Sequence, residues 1–115
     1  MSSECIFCRI AAGELPADRI YEDEWAVAFK DINPAAPVHA VIVPKSHLAN
    51  LNEAETANRE LFGHLLYVAR KAAEKQGVAE SGYRLVINTN RDAGQEVFHL
   101  HIHLLAGRRM GWPPG

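Results

Sequence analysis

The segment His99-Leu100-His101-Ile102-His103-Leu104-Leu105 alternates polar and apolar residues with a period of two, and each polar position is an imidazole. Successive side chains of a strand point to opposite faces, so such a segment buries one face and offers the other. Leu100, Ile102 and Leu104 would enter a core, while His99, His101 and His103 would stand in a row on the other side. The chain is therefore expected to build a sheet with one apolar face covered and an opposite face that has a use for imidazole. Half of the six histidines fall in the five residues from His99 to His103. Imidazole, with an ordinary pKa of about 6.5, acts as acid, base, nucleophile or metal ligand near neutral pH.

The rest of the sequence supplies partners for that strand. Val38 to Val43 is a β-branched run ended by Pro44, and its apolarity predicts a strand covered on both faces, interrupted only by His39. Ile20-Tyr21 and Trp25 to Lys30 read as two strands around the acidic turn Glu22-Asp23-Glu24. Tyr83 to Asn88 reads as another, and the polar turn from Asn90 to Gly94 favours antiparallel pairing with the histidine strand. Residues 4 to 12 predict a short helix with Ile6, Phe7 and Ile10 on one side, ended by Gly13. Leu61, Phe62, Leu65, Leu66, Ala69, Ala72 and Ala73 fall at helical spacing, which predicts a long helix from Asn52 to Gln76. Asn52 and Glu55 form its expected capping box, and Gly77 its stop. The expected class is α+β in a single domain over 1–115: an antiparallel sheet of about five strands, one long helix and a short N-terminal helix. The tail from Met110 to Gly115 cannot extend a sheet, and Trp112 within it is expected to be disordered or to anchor on a surface.

Charge excludes several partners. A net charge of −2, with Arg108-Arg109 the only tight basic pair near a terminus, gives no footprint for nucleic acid. No apolar run approaches the roughly 20 residues of a membrane span. Glu4, Arg9 and Glu14 interrupt any apolar leader, so the chain reads as cytoplasmic, where disulfides are rare. Its two cysteines form one Cys5-Ile6-Phe7-Cys8 pair, a spacing that suits a metal or a redox dithiol, or leaves two inert thiols.

Three readings compete for the histidine row: a solvated strand face, a metal-binding row, or a catalytic group in which one imidazole attacks an electrophile and its neighbours orient it. The flanking residues favour the last. Gly94-Gln95-Glu96 precedes the row, and a Gly-containing turn presents backbone N–H groups and an amide suited to an anion. Asn88 ends the neighbouring strand and could reach the same place or simply cap a turn. A neutral imidazole attacks phosphorus well at pH 7, and the product is labile enough for water to complete the cycle. His39 and His64 carry no comparable signal.

His99-x-His101-x-His103-x-x, with apolar residues at each x, resembles the signature of the histidine triad (HIT) superfamily of nucleotide hydrolases and transferases. Asp31-Ile32-Asn33-Pro34-Ala35-Ala36-Pro37, Val43-Pro44-Lys45-Ser46-His47, Asn88 and Gly94-Gln95 are similar to other segments of that family, and the ending Gly107 to Gly115 looks like the Hint branch, the purine nucleoside phosphoramidases. The resemblance implies His101 as the nucleophile that forms a nucleotidyl-histidine. It implies His103 as the histidine that contacts the phosphate and assists the leaving group, and His99 as the one that orients the nucleophile. Asp31 matches the ribose-binding carboxylate. Ile6, Phe7, Ile10, Phe29, Ile32 and Leu48 match the walls of the purine pocket, although plain core packing would account for most of them equally. Asn88, Gly94 and Gln95 match residues lining the phosphate site, and Glu96 and Val97 are further expected substrate contacts. Glu96 departs from the serine that many eukaryotic Hint proteins carry, and a carboxylate there would repel an anionic leaving group.

Some HIT proteins hold zinc with two N-terminal cysteines and two histidines at matching positions. The resemblance thus implies Cys5, Cys8, His47 and His99 as ligands of a structural Zn2+ and no cofactor for catalysis. The implied substrates are purine nucleotides, AMP or GMP conjugates, cleaved at a P–N bond. Rival readings are dinucleoside polyphosphate hydrolysis, nucleotidyl transfer, or a purine-nucleotide-binding scaffold with incidental hydrolysis. Hint proteins also imply a homodimer that joins the two sheets, with Trp112 and the long helix contributing to the interface.

Overall fold

A computed structural model describes residues 5–115, so Glu4 at the start of the expected first helix lies outside the described residues. The strands are β1 (Arg19–Glu22), β2 (Ala26–Lys30), β3 (Val38–Pro44), β4 (Tyr83–Val86) and β5 (Ile102–Ala106), and the helices are α1 (Ile6–Ala11) and α2 (Arg59–Lys75). The strands form one sheet in the order β1-β2-β3-β5-β4, each neighbouring pair antiparallel.

The central β3 explains why both faces are closed. Ala40 and Ile42 join a core with Ala26, Ala28, Leu100, Ile102, Leu104 and Ala106, against which α2 lays Leu65, Val68, Ala69, Ala72 and Ala73. Val41 and Val43 face the other way and pack with Val27, Phe29 and Ile10 under α1. Directly paired residues of antiparallel strands share a face. Phe29 pairs with Val41, Val41 with His103, and His103 with Val86, so one row across the sheet carries an imidazole on the α1 side.

The structure corrects five local expectations. The long helix begins at Arg59, not Asn52; single 3-10 turns at Leu51–Glu53 and Thr56–Asn58 precede it. The side chain of Asn50 accepts from the N–H of Asn52 and starts a separate turn, and the capping box is formed by Glu55 with Asn58. Short polar side chains that bond nearby backbone compete with helix in this way. Leu66 lies one position off the stripe Leu65, Val68, Ala69, Ala72, Ala73 and is half exposed. Pro44 is the last residue of β3 rather than a stop before it. β5 starts at Ile102, and β4 ends at Val86, so His99, His101 and Asn88 sit on irregular chain beyond the ladders. Past the Ile42–Ile102 pair, Pro44 offers no N–H to extend the ladder, and Leu100 N–H turns instead to the Leu48 carbonyl. At the other end of β5, Gly107 has a φ of 92° and a Cβ there would stand 2.8 Å from Pro37 Cβ, so only glycine fits.

Candidate active site

Burial decides the protonation of the triad. His99 is fully buried and His101 nearly so. Loss of solvation holds His99 and His101 below the ordinary imidazole range and pushes His103 down to about 4, with neighbouring His101 and His39 adding to the effect on His103. At neutral pH these rings are uncharged, so each carries one proton and one lone pair. Hydrogen-bond partners then say which nitrogen holds which.

His101 Nδ1 lies 2.7 Å from the main-chain carbonyl of His99. A carbonyl only accepts, so Nδ1 carries the proton and Nε2 the lone pair. For His103 the argument runs through a residue that the sequence did not mark. The N–H of Ala35 donates to His39 Nδ1 at 2.9 Å, which leaves the His39 proton on Nε2. That Nε2–H lies 2.9 Å from His103 Nδ1 and 3.4 Å from Asp31 Oδ2. His103 Nδ1 therefore accepts, and its own proton is on Nε2. The rings of His101 and His103 are 4.8 Å apart and nearly perpendicular, so an imidazole with a bare Nε2 and one with a protonated Nε2 stand side by side. His39 was invisible as a site residue because it interrupts a strand of valines; only its register opposite Leu105 puts it on the His103 face.

Both rings line a cavity of about 660 Å3. Ile6, Phe7, Ile10 and Phe29 form its apolar wall, Asp31 and Ile32 lie along it, and Asn88, Gly94, Gln95, Glu96 and Val97 close it from the loop before the triad. Phe7 sets its ring edge to face against Phe29 at 5.6 Å and His101 at 5.1 Å, so the His101 ring is braced by the apolar wall. Leu48 does not line this cavity; it packs against the α2-side core, because β3 has already ended and the chain has crossed to that side.

Gln95 has a different place from the one expected of an anion ligand. Its Nε2 donates to the carbonyls of Ala49 and Val97 at 2.8 and 3.0 Å, and its Oε1 accepts from the N–H of Asn90 at 2.9 Å. The N–H groups of Gly94 and Gln95 are spent within the loop, on Arg91 and Asn90. The buried Gln95 amide is thus a brace for the loop, and Glu96 stands exposed at the cavity lip.

On the far side of His99 a second group gathers. Cys5, Cys8, His47 and His99 place their ligand atoms within 4.8 Å of one another. His99 Nε2–H donates to the Pro44 carbonyl at 2.8 Å, which turns the Nδ1 lone pair toward Cys5 Sγ and Cys8 Sγ, each at 3.3 Å, and His47 Nδ1 at 3.2 Å. A tetrahedral zinc ion separates such atoms by about 3.3 to 3.8 Å, given its usual bond lengths, and a carbonyl on the other ring nitrogen is the usual orienting contact. This donor set fits that ion. Asp31, His39 and His103 also converge, but the proton on His39 Nε2 occupies the position a metal would need.

The indole of Trp112 is largely exposed, and beside it the Arg84 guanidinium donates to the Gly111 carbonyl at 2.8 Å and sits 6.0 Å from the ring. His64 instead pairs with Asp23 Oδ2 at 2.6 Å and ties α2 to the β1–β2 turn. Among the described residues no helix is long and apolar enough to cross a membrane.

Residues 12–110 match the model of the HIT domain. The chain is 50% identical over 115 residues, all of both chains, to an uncharacterized HIT-like protein of Synechococcus elongatus. It is 45% identical over 111 residues to the purine nucleoside phosphoramidase of Escherichia coli K12, covering 96% of this chain and 93% of that one. Among solved structures, a HIT family hydrolase from Legionella pneumophila superposes with a TM-score of 0.93 at 50% identity, covering 96% of this chain and 99% of that one.

Proposed function

Given that the chain belongs to the HIT family, we propose that it is a hydrolase that cleaves the P–N bond of purine nucleoside 5′-monophosphoramidates through a nucleotidyl intermediate on His101. The observation that carries this reading is the pairing of tautomers: a buried neutral His101 with its lone pair on Nε2, beside His103 with its proton on Nε2. In this reading the purine lies against Ile6, Phe7, Ile10 and Phe29, and Asp31 accepts the ribose hydroxyls. The α-phosphoryl group then meets His101 Nε2. A P–N bond to His101 forms, the bond to the substrate nitrogen breaks, and that nitrogen departs as the amine after taking a proton from water at the cavity mouth. His103 Nε2–H and the main-chain N–H groups of Glu96 and Val97, which donate to nothing else among the described residues, hold the phosphoryl oxygens. The hydroxide left by that proton transfer then attacks phosphorus, the P–N bond to His101 breaks, and the nucleoside monophosphate leaves with His101 restored.

Cys5, Cys8, His47 and His99 would hold a structural Zn2+ that ties α1 to the sheet and supplies no reacting atom. We read the protein as cytoplasmic, in keeping with two cysteines that form no disulfide. We also read it as a homodimer, for which the exposed Leu66, Tyr67 and Trp112 are available surface; a monomer by light scattering at micromolar concentration would refute the dimer. The test of function is hydrolysis of adenosine 5′-monophosphoramidate by the wild type, with the acid-quenched enzyme analysed by mass spectrometry for an adenylyl group on His101. Hydrolysis without any adduct would exclude the covalent route, and AMP binding without hydrolysis would favour a nucleotide-binding scaffold.

A further inference from the structure

His99 belongs to two systems at once. Its ring is a member of the Cys5–Cys8–His47 cluster, and its carbonyl is the acceptor that fixes the tautomer of His101. We propose that occupancy of this cluster by a divalent metal ion governs the reactivity of His101, so that the cluster is a control point for the nucleophile as well as a tie between α1 and the sheet. The proposal rests on the phosphoramidase reading for its substrate, and on geometry alone for the coupling.

Two physical links run from the cluster to the cavity. The first is through the backbone. The buried His99 ring is held at one nitrogen by the Pro44 carbonyl and at the other by the cluster, while the same residue's carbonyl holds His101 Nδ1–H at 2.7 Å. His47 Nδ1 and His99 Nδ1 face each other at 3.2 Å. With the His99 proton committed to Pro44, the Nδ1 lone pair needs a cation or a proton between it and its neighbours. An ion satisfies all four ligands together; without one Nδ1 meets only a weak S–H donor from Cys5 or Cys8, and the carbonyl that follows from its backbone loses definition. The second link is Phe7, which lies between the two cysteines in sequence and sets its ring against both His99, at 6.0 Å, and His101, at 5.1 Å. Displacing the cysteine segment displaces the wall that braces the nucleophile. Partners that orient an imidazole at one remove commonly contribute 10- to 100-fold, which sets the expected size of the effect at about that range.

The experiment compares zinc-loaded protein, protein stripped with a strong chelator, and Cys8→Ser supplied with excess zinc. Zinc content, melting temperature, AMP affinity by calorimetry, the proton resonance of His101 Nδ1–H and the single-turnover rate of adenylyl-His101 formation are followed together. The expected result is stoichiometric zinc in the loaded wild type, with AMP affinity weakened in the stripped and Cys8→Ser proteins, since Phe7 also walls the cavity, but by less than adduct formation slows. The Nδ1–H resonance should broaden, and adduct formation should slow by about 10- to 100-fold, in both the stripped and the Cys8→Ser proteins. Adduct formation as fast without zinc as with it would overturn the proposal. So would failure of the loaded wild type to bind zinc, or a stripped protein that melts below the assay temperature and loses AMP binding at the same time. If the loaded protein forms no adduct at all, the phosphoramidase reading fails by itself. The resonance then decides the coupling: its loss on stripping supports the proposal, and its persistence rejects it.

Discussion

The two faces of the sheet make an instructive contrast because the same strands build both. On the α2 side, Ala40, Ile42, Ile102 and Leu104 meet an alanine-rich helix stripe, and the fit is apolar and closed. On the α1 side, Val41, Phe29 and Ile10 form only a small cluster, and beside it the sheet presents His39 and His103 with His101 just beyond the ladder. The first face gains its stability chiefly from burial. The second spends burial on something else: removing water from three imidazoles keeps them neutral, and their hydrogen bonds then assign one lone pair and one proton to the cavity. The contrast teaches that β5 is divided by function along its two-residue period, with stability on one parity and chemistry on the other.

The sharpest way to break that division is to truncate one residue of each parity. His101→Ala should lower phosphoramidate hydrolysis by at least about 1000-fold, since a covalent route loses its nucleophile, while the melting temperature changes little. Leu104→Ala, three residues along and on the opposite face, should cost about 3 kcal/mol in urea unfolding and leave the rate per folded molecule nearly intact. Comparable losses of rate in the two variants would show that the faces are not separable.

A pH titration of stability sharpens the same contrast from the histidine side. The His103 pKa is about 4 in the folded protein, below its ordinary value near 6.5. Between those values the unfolded chain binds more protons than the folded one, so stability rises with pH across that window. The contribution is fully present above about pH 6.5 and is lost as pH falls toward 4, amounting to about 3 kcal/mol if His103 acts alone. Urea midpoints measured from pH 7.5 down to 4.5 should therefore fall, and His103→Gln should fall less steeply. A slope unchanged by the substitution would mean that other groups carry the acid sensitivity.

Smaller still is the effect of the loop brace. Gln95→Ala leaves the Ala49 and Val97 carbonyls and the Asn90 N–H without their partner, and should cost about 1 to 3 kcal/mol in urea unfolding. If Gln95 instead acted as an anion ligand, AMP affinity would fall and stability would hold.

Much of this was legible in the sequence where a period ran long enough to be read. The β5 alternation, the continuous β3 run and the α2 stripe gave the sheet, its two covered faces and the helix upon it, and the HIT resemblance followed from the triad and its flanks. What stayed hidden depends on contacts between distant segments. His39 looks like a polar interruption until its register opposite Leu105 puts it beside His103. Gln95 looks like a donor for an anion until its amide is found spent on Ala49, more than forty residues earlier. The early helix start failed for a local reason, because Asn50, Glu55 and Asn58 compete for the backbone before Arg59. Leu48 failed for a topological one, since the chain crosses to the α2 side once β3 ends.

Glu96 tests where the influence of the chemical face stops. It lines the cavity from an exposed position, one residue after the buried Gln95 and three before the buried His99. A carboxylate at the lip opposes a leaving group that is itself anionic and favours an amine that departs bearing positive charge. Solvent screens it there, so the preference is expected to be small, about two- to five-fold in kcat/KM between leaving amines with and without an added carboxylate. Glu96→Ser should bring the two substrates closer together while hydrolysis of the parent phosphoramidate continues. Unchanged ranking in 0.05 M and 0.5 M salt, in both proteins, would place Glu96 outside the reach of the leaving group and confine selection to the buried part of the cavity.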